Sequence, residues 1–555
     1  MKKTARWLAF LLFVPIWVAH AGEALFSSVQ YQGHDGPAPA AEKYRNPILA
    51  GFYPDPSIVR VGDDFYLVNS SFGYFPGLPV FHSRDLVHWT QIGNAIDRPE
   101  QIDFGHAEVT RGLFAASISH HAGRYYIVNT CFYCGGGNFV ITADNPAGPW
   151  SKPVWLNAEG IDPSLFFDEN GKAWLVRNGM PEGKVRYDGH RAIWLQEFDF
   201  ASMKLVGPSR VLVDSGVDLE PNPQHVEGPH LFRHGGSYYL IAAQGGTGDR
   251  HAEMVWRSRA VTGPYEAWSG NPILTQRDLN ANRPHPITSA GHAQFVELKD
   301  GSWWTVFLGA RPYRNDEYLL GRETFLLPVH WQDGWPQVLP HGSPVPLLPA
   351  RPALTDAPST SPTTGSFGWT EHFTESILPL TWMTINVPRT PWFSSGAKGL
   401  RLKPSSTPLG DYASGQPAFV AHRLQHHKAT IELALEPRDL TAGEQAGLAL
   451  LQNETHYYAA MREQVSDAAA VVLYRRAGKD DPPAGTAIAR AKLTDSHATI
   501  RLRFQLDGAR LDTYLAEGSA SWKPLALDVD ASLLSVAKAS GFTGATFGPY
   551  AYVAK

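Results

Sequence analysis

Three carboxylates occupy similar places in the sequence, although they are far apart along the chain. Asp55 stands in YPDPSIVR between two prolines, Asp162 stands in IDPSLFFD, and Glu227 stands in VEGPHLF. Each lies at the start of an apolar run that predicts a buried strand, where an unpaired carboxylate is costly. One protonated and one ionised carboxyl group flanking an acetal are the machinery of glycoside hydrolysis, and a third carboxylate can raise the pKa of the acid.

Calcium binding is the alternative chemistry for these residues, because calcium also prefers several oxygen ligands. Calcium loops usually gather their ligands in one short segment, whereas these carboxylates are spread over 172 residues. The spacing therefore favours acid–base chemistry, provided that the fold brings the distant segments together.

An internal repeat indicates how the fold could do so. Five similar phrases begin at Asp55, Phe114, Asp162, Glu227 and Gly291. Each combines a short apolar strand, a turn with Gly or Asp and an aromatic, β-branched strand, so each predicts a hairpin. The intervals of 48 to 65 residues leave room for two further strands per unit, which predicts a five-bladed β-propeller over residues 43–345. Its symmetry would place the three carboxylates in register at one mouth of the central funnel.

The composition changes after the propeller. Residues 346–366 are rich in Pro, Ser and Thr and predict a linker. Residues 367–555 contain short alternating strands, such as KATIELALEP and ATIRLRFQL, that predict a β-sandwich of the jelly-roll, lectin-like type. We therefore expect an all-β protein with two domains.

The N-terminus predicts export. Three basic residues precede an apolar run of about thirteen residues, shorter than a membrane span, and Ala19-His20-Ala21 has the form of a cleavage site. Residues 1–21 thus predict a signal peptide, and we expect a secreted protein, periplasmic or extracellular, with no membrane partner. Its removal takes the formal net charge from −5 to −8, which gives no electrostatic reason to bind nucleic acid. A homo-oligomer is compatible with the sequence.

The two cysteines, Cys131 and Cys134, are spaced C-F-Y-C and precede three glycines. In an exported chain they predict a local disulfide or a pair of loop thiols. A redox site would need a helix N-terminus after a strand, and a zinc site would need two further ligands.

Taken together, the motifs resemble glycoside hydrolase family 43, most closely its two-domain β-xylosidase and α-L-arabinofuranosidase members. The propeller carries the resemblance through NPILAGFYPDPSIVR, GIDPSLFFD, VEGPHLF, TSAGHAQFV and LGRETFLLPVHWQDGWP. The C-terminal part carries it more weakly through WTEHFTESILPLTW and GFTGATFGPYAYV. The resemblance implies an inverting enzyme that acts on terminal pentoses of plant cell-wall glycans and requires no cofactor.

The resemblance also implies roles for the three carboxylates. Asp55 matches the general base that activates water, and Glu227 matches the general acid. Asp162 matches the residue that raises the pKa of the acid and orients it. For an inverting enzyme the carboxyl groups of Asp55 and Glu227 should lie about 6.5 to 9.5 Å apart, whereas about 5 Å would indicate retention.

Four further residues match substrate-binding positions of the family. Arg322 matches a residue that binds sugar hydroxyls, with pairing to Glu323 or to a neighbouring blade as the alternative. His292 matches a histidine near a water or a calcium ion at the propeller axis, with a satisfied interior histidine as the alternative. Phe72 and Phe114 match apolar walls of the sugar pocket, although both could be ordinary core residues.

The preferred substrate stays open at this point. We expect release of terminal β-1,4-linked D-xylose from xylo-oligosaccharides or xylan. The alternatives are an α-L-arabinofuranosidase acting on arabinoxylan or arabinan, and a non-catalytic carbohydrate-binding propeller. Many family xylosidases have Trp where this chain has Phe114, which leaves the preferred pentose undecided. The sandwich either helps to form the pocket, as the resemblance implies, or carries a sugar site of its own.

Overall fold

The computed structural model describes residues 22–554 except 106, 220, 358, 360, 412, 438–442 and 466–467. The predicted signal peptide, residues 1–21, lies outside the described residues. Within them the chain is almost entirely β-structure, and the only helical turns are the 3₁₀ turn Ala531–Leu534 and the α-helical turn Val536–Ala539 (α1). The expected all-β class is therefore confirmed. No helix in this part of the chain is long and apolar enough to cross a bilayer.

Five antiparallel sheets of four main strands follow the first strand, β1 (Ala24–His34). Blade 1 contains β2 (Ser57–Val61), β3 (Asp64–Val68), β5 (Gly77–Ser83) and β6 (Thr90–Ile96). The short strand β4 (Tyr74–Phe75) lies between β3 and β5 in the chain but does not belong to this sheet. Blade 2 contains β7 (Leu113–His121), β8 (Arg124–Cys131), β9 (Gly137–Ala143) and β10 (Val154–Trp155). Blade 3 contains β11 (Ile161–Phe167), β12 (Ala173–Gly179), β13 (Ala192–Asp199) and β14 (Lys204–Asp214). Blade 4 contains β15 (Glu227–His234), β16 (Ser237–Gln244), β17 (Ala252–Ser258), β18 (Glu266–Ala267) and β19 (Leu274–Thr275). Blade 5 contains β20 (Thr288–Glu297), β21 (Trp303–Ala310), β22 (Glu323–Gln332) and β23 (Trp335–Gln337).

The five blades form a closed ring, which confirms the predicted propeller. The innermost strands β2, β7, β11, β15 and β20 contact one another in turn, and β20 contacts β2 again. The backbone N–H of Ile48 donates to the carbonyl of Thr324 in blade 5, which ties the start of the domain to its end. A buried apolar cluster fills the space between each pair of neighbouring blades, for example around Trp89 and Trp304 between blades 1 and 5. Because blades are covered on both faces, strands such as β21 read as continuous apolar runs.

The remaining strands form two sheets of a β-sandwich. They are β24 (Phe367–Glu371), β25 (Met383–Ile385), β26 (Phe393–Gly396), β27 (Gly399–Leu402), β28 (Ala418–Arg423), β29 (Lys428–Leu435), β30 (Glu444–Asn453), β31 (His456–Val465), β32 (Ala468–Ala477), β33 (Thr486–Lys492), β34 (Ile500–Asp507), β35 (Arg510–Glu517), β36 (Lys523–Asp530) and β37 (Thr546–Val553). Strands from elsewhere join them, since β1 pairs with β24, β27 and β29, and β4 of blade 1 pairs with β25. The sequence did not predict that β1 and β4 join the sandwich, because neither strand is adjacent in the chain to the strands with which it pairs.

The sandwich packs on the propeller through a shared apolar cluster. Phe52, Phe72 and Tyr74 from the propeller side are buried together with Met383 and Phe419 of the sandwich. The two domains therefore have a continuous core at this contact, and the sandwich lies beside the mouth of the propeller at blade 1.

Candidate active site

The innermost strands of blades 2 to 5 share one irregularity, near the strand start in blades 2 to 4 and after a first irregularity in blade 5. In each, two residues of the inner strand oppose a single residue of the next strand. The bulged pairs are Phe114–Ala115, Asp162–Pro163, Gly228–Pro229 and His292–Ala293. Such a bulge bends the strand and re-aims its side chains. Equivalent bulges around a ring therefore help to direct side chains from several blades, such as Phe114, Asp162 and His292, toward one axial cavity.

The positions of the bulges show that the three carboxylates do not all share the predicted register. Asp162 occupies the first bulged position with φ 53°, and Asp55 has a similar φ of 50° at the corresponding place before β2. In blade 4 that position is Gly228, so Glu227 lies one residue earlier, equivalent to Ile161. The assumption of identical register was wrong at Glu227.

Gly228 explains the displacement. Its φ is 59°, and a Cβ added there would lie 2.9 Å from the ring of His292. A side chain at this position would therefore collide with His292, and the longer Glu227 side chain approaches the axis from the neighbouring position. Aligning Pro56, Pro163 and Pro229 in the sequence reveals the same offset.

All seven predicted site residues line one cavity of about 290 Å³. These are Asp55, Phe72, Phe114, Asp162, Glu227, His292 and Arg322. The volume lies at the lower end of the range for small-molecule sites, about 300 to 1,000 Å³, and suits one monosaccharide better than a chain.

A larger cavity, of about 880 Å³, lies between blade 5 and the sandwich. Among its described lining residues the only carboxylate is Asp35, which is paired with Arg311. Arg311 also pairs with Glu323. Because this cavity lacks two carboxyl groups that could divide acid and base roles, the smaller axial cavity is the better candidate for chemistry.

Asp55 is buried and ionised. Burial raises its pKa, but Arg322, then His292, and a hydrogen bond from Ser70 outweigh burial and hold the pKa below its ordinary value. Arg322 Nη1 lies 2.5 Å from Asp55 Oδ1, and Ser70 Oγ donates to Oδ2 at 2.5 Å. His292 Nδ1 lies 3.9 Å from Oδ1. A carboxylate held in this way can accept a proton from water.

Glu227 has the opposite protonation tendency. Burial raises its pKa to about 8, and the negative charges of Asp162 and Asp55 add to the effect, against smaller opposing contributions of Arg322 and Arg191. Asp162 is itself raised to a pKa of about 6, mainly by burial. Its Oδ2 accepts a hydrogen bond of 3.2 Å from the backbone N–H of Gly228, next to Glu227. Glu227 thus retains its proton near neutral pH, which is the state of a general acid.

Arg322 pairs with a residue of the cavity and not with its sequence neighbour Glu323. Glu323 pairs with Arg311, so the alternative of an Arg322–Glu323 pair is wrong. The Arg322 guanidinium pairs with Asp55 of the neighbouring blade 1, which confirms the other alternative, and its buried Nε has no hydrogen-bond partner among the described residues.

Among the described residues, His292 does not belong to a converging group of three or more candidate metal ligands. The buried neighbours His230 and His251 have pKa values lowered by burial, to about 3 and about 4, and so are neutral. In the described part of the chain, the only converging group of three or more candidate ligands is Asp85, His88 and Asp356, away from His292. His292 contacts Asp55, and calcium binding at His292 stays a prediction.

Three phenylalanines form the apolar wall of the cavity. Phe72 and Phe114 are in edge contact at a centroid distance of 5.0 Å, and Phe72 is also part of the interdomain core. Phe542 comes from the sandwich, stacks on Phe72 at 5.9 Å and lies 5.6 Å from the Arg322 guanidinium. The sandwich therefore contributes to the cavity, as the resemblance implied.

Sequence reasoning missed several lining residues. Phe542, His225 and Thr247 line the cavity, together with Ile161. Phe542 lies in the motif GFTGATFGPYAYV, so this motif marks the cavity as well as the second domain. His225 and Thr247 lie in loops of irregular sequence, where no repeat position marks them.

The two cysteines are paired as a disulfide across the turn that follows β8, with Cα atoms 5.6 Å apart. This is the first of the alternatives that the sequence left open. The turn contains Phe132, whose ring is 4.7 Å from the ring of Phe114.

Comparison with known proteins identifies relatives over nearly the whole chain. The family described as "Glycosyl hydrolases family 43" matches residues 44–336, and the "Beta xylosidase C-terminal Concanavalin A-like domain" matches residues 370–555. A xylosidase/arabinosidase of Butyrivibrio fibrisolvens is 36% identical, over 91% of this chain and 95% of that protein. A non-reducing end α-L-arabinofuranosidase of Bacteroides ovatus is 33% identical, over 99% of this chain and 96% of that protein. The crystal structure of a GH43_12 protein retrieved from a capybara gut metagenome superposes with a TM-score of 0.89 at 34% identity, over 96% of this chain and 100% of the other.

Proposed function

The chain belongs to glycoside hydrolase family 43, and we propose that it is an inverting exo-glycosidase that releases terminal β-1,4-linked D-xylose from xylo-oligosaccharides. The observation that carries the proposal is the opposite protonation of Asp55 and Glu227 in one small cavity. A purely carbohydrate-binding propeller has no use for such a pair.

In the proposed reaction, Glu227 donates its proton to the glycosidic oxygen while the bond from that oxygen to the anomeric carbon breaks. A water on the opposite face of the sugar forms the new bond to the anomeric carbon and gives its proton to Asp55. The leaving sugar departs with the proton of Glu227, and the released pentose has the inverted configuration. Solvent then removes the proton from Asp55 and returns one to Glu227. These steps need no cofactor.

The neighbouring residues act on these two groups. Arg322 and Ser70 hold the Asp55 carboxylate, which fixes where the water is activated. Asp162 keeps Glu227 protonated by its negative charge. The phenylalanines Phe72, Phe114 and Phe542 cover an apolar face of the bound pentose and exclude water around the reacting centre.

The shape of the cavity supports exo-action. Its volume of about 290 Å³ and the cover provided by Phe542 leave room for one terminal sugar. A sugar chain would therefore enter the cavity by its terminal sugar.

An α-L-arabinofuranosidase activity is the second candidate. It is supported by the relatives, one of which is named for both activities and one for arabinofuranoside cleavage at the non-reducing end. Phe114, where many family xylosidases have Trp, also reshapes the wall that meets the pentose. Both activities in one protein would use the same carboxyl pair.

The test uses nitrophenyl β-D-xylopyranoside and nitrophenyl α-L-arabinofuranoside with the wild-type protein, followed by xylobiose monitored by ¹H NMR. We expect hydrolysis of the xyloside and initial release of α-xylose from the β-linked substrate. Initial release of β-xylose would overturn inversion, whereas cleavage of the arabinoside alone would replace the first candidate with the second. No cleavage of any of the three substrates would refute the glycosidase proposal.

We also propose that the protein is exported, on the basis of the basic and apolar character of residues 1–21 and the form of Ala19-His20-Ala21. Expression of the full chain in a bacterial host, with cell fractionation and N-terminal sequencing, tests this. An exported product should begin at Gly22, and a cytosolic product that retains residues 1–21 would contradict export.

A further inference from the structure

A further buried carboxyl group lies behind the axial cavity, outside the three that line it. Glu253, on β17 of blade 4, is fully buried, and the proposed reaction does not use it. Its Oε2 accepts a hydrogen bond of 3.0 Å from the backbone N–H of Ala293 in blade 5. Its Oε1 has no hydrogen-bond partner among the described residues. An interior carboxyl group with so few partners is costly, so its presence needs an explanation.

We propose that Glu253 is a positioning residue for the axial histidine. Its carboxyl oxygen holds the bulged backbone of β20 at His292–Ala293 and thereby sets where the His292 ring lies in the cavity. The inference rests on the proposed function, because the place of this ring matters for catalysis only if the carboxyl groups beside it react as proposed.

The backbone that Glu253 holds has an unfavourable conformation. His292 has a φ of 53° and Ser289 has a φ of 57°, in the left-handed region that residues other than glycine rarely adopt. Both residues lie in the first part of β20, where the register against β21 shifts twice. Such a conformation persists only where surrounding contacts hold it.

Two side chains of blade 4 provide these contacts, one at each left-handed residue. His251 Nδ1 donates to the carbonyl of Ser289 at 2.8 Å, and Glu253 accepts from Ala293, the residue after the second one. His251 and Glu253 are two residues apart in an extended segment, so their side chains leave it on the same face. A Cβ added to Gly291 would lie 2.7 Å from the His251 ring, so the backbone of β20 passes directly against this face.

The position of the His292 ring affects both reacting carboxyl groups. Its Nδ1 lies 3.9 Å from Asp55 Oδ1. The ring also lies 2.9 Å from where a Cβ of Gly228 would stand, next to Glu227. A displacement of His292 therefore reaches the base and the acid together. A misplacement of about 1 Å in a catalytic site can reduce the rate about 10²-fold.

Glu253 holds the bulge as a neutral group. Burial raises the pKa of Glu253 well above its ordinary value of 4.5, against the opposing hydrogen bonds of the Ala293 and His292 backbone N–H groups. A protonated carboxyl group keeps a carbonyl oxygen that accepts the N–H of Ala293. The amide of glutamine offers the same acceptor, so the negative charge of a carboxylate is not required.

A bulge held by a buried polar side chain also occurs in blade 2. Asn129 Nδ2 donates to the carbonyls of Phe114 and Ala115, the bulged pair of that blade, at 2.6 and 3.1 Å. Asn129 belongs to the same blade as its bulge, whereas Glu253 belongs to the blade beside the one that it holds. Glu253 thus links blade 4, which carries the acid, to blade 5, which carries His292.

The experiment compares Glu253→Gln and Glu253→Leu with the wild type in steady-state kinetics on nitrophenyl β-D-xylopyranoside. Leucine fills a similar space without an acceptor, so we expect kcat to fall about 10- to 100-fold, with KM changed by less than about threefold. Glutamine keeps the acceptor, so kcat should stay within about twofold of the wild-type value. Recovery of kcat by glutamine separates the hydrogen bond from the charge and from the volume of the side chain.

Val255→Ala is the matched control. Val255 is buried two residues further along the same face of β17, in the apolar cluster between blades 4 and 5. The substitution loosens the same core and should lower Tm, but it leaves the N–H of Ala293 paired, so kcat should stay within about twofold. Equal losses of kcat in Val255→Ala and Glu253→Leu would assign Glu253 to core packing and overturn the proposal.

Hydrogen exchange measured by mass spectrometry tests the contact without reference to activity. Protected amides of residues 288–297 should exchange at least about tenfold faster in Glu253→Leu than in the wild type or in Glu253→Gln. Unchanged exchange and unchanged kcat in Glu253→Leu would overturn the proposal. A loss of more than about tenfold in kcat of folded Glu253→Gln would also overturn it, and this variant decides the matter if Glu253→Leu does not fold. If the wild type cleaves no substrate, the glycosidase proposal fails, while the exchange rates still report whether Glu253 holds the bulge.

Discussion

The two halves of the axial cavity contain the same functional group in opposite charge states. On the side of blades 1 and 5, Asp55 lies against Arg322, His292 and Ser70, and its pKa is held below the ordinary value. On the side of blades 3 and 4, Glu227 lies near Asp162, and its pKa is raised to about 8. Asp55 is buried and Glu227 is half-buried, and desolvation raises the pKa of both carboxyl groups, so it does not distinguish them.

The difference between the halves therefore comes from the charged neighbours. A guanidinium in direct contact overcomes desolvation at Asp55, whereas a nearby carboxylate reinforces desolvation at Glu227. In the proposed mechanism, the roles of acid and base are thus assigned by the neighbours of Asp55 and Glu227. Substitutions on either side of the cavity test this difference.

Removing the base should have the largest effect. Asp55→Asn keeps the shape of the side chain but cannot accept the proton of water, so kcat should fall at least about 10³-fold on xylobiose and on nitrophenyl xyloside alike. Asp63→Asn, at an exposed turn of blade 1, is the control and should retain activity. Steady-state kinetics on both substrates checks this, and a variant that kept activity on either would exclude Asp55 as the base.

Removing the acid should have a large but substrate-dependent effect. Glu227→Gln cannot protonate the leaving oxygen, so the rate on xylobiose should fall about 10²- to 10⁴-fold. Nitrophenolate departs without a proton, and the loss on nitrophenyl xyloside should be at least about tenfold smaller. Equal losses on the two substrates would mean that Glu227 does not act on the leaving group.

Replacing the charged neighbours of Asp55 and Glu227 should move the two limbs of the pH profile of kcat/KM in opposite directions. Arg322→Met removes the cation that lowers the pKa of Asp55, so the acidic limb should move up by about one pH unit or more. Asp162→Asn removes a negative charge near Glu227, so the basic limb should move to lower pH. If Arg322→Met moved the basic limb instead, the assignment of the halves would be reversed.

The smallest expected effect is on stability. Glu227 has an ordinary pKa of 4.5 and a folded pKa of about 8, so its stabilising contribution is complete below pH 4.5 and is lost as the pH rises toward 8. Glu227→Gln does not titrate, and its Tm relative to wild type should increase between pH 4.5 and pH 8. Thermal unfolding at several pH values measures this, with Glu169→Gln, an exposed carboxylate of blade 3, as the control. A constant Tm difference over this range would indicate that the pKa of Glu227 is not raised.

Much of this organisation was predictable from local sequence. The repeated hairpin phrase identified the five blades because each blade is built from contacts close in the chain. The same phrase located Asp55 and Asp162, which open β2 and β11 at matching backbone conformations. The repeat did not predict the register of Glu227, because Gly228 takes the matching position. A side chain is excluded there by the ring of His292, which comes from blade 5.

The sequence by itself determined the blades, the sandwich strands after residue 367 and the identity of the carboxylates, since hydrophobic alternation and turn residues are local properties. Only the tertiary structure decided that β1 joins the sandwich, that Phe542 covers the cavity and that Arg322 pairs with Asp55 rather than with Glu323. These contacts join segments hundreds of residues apart, and their geometry depends on how the ring closes and where the second domain packs. The protonation states of Asp55 and Glu227 depend on the same contacts, because pKa values follow the charges nearby in space rather than along the chain.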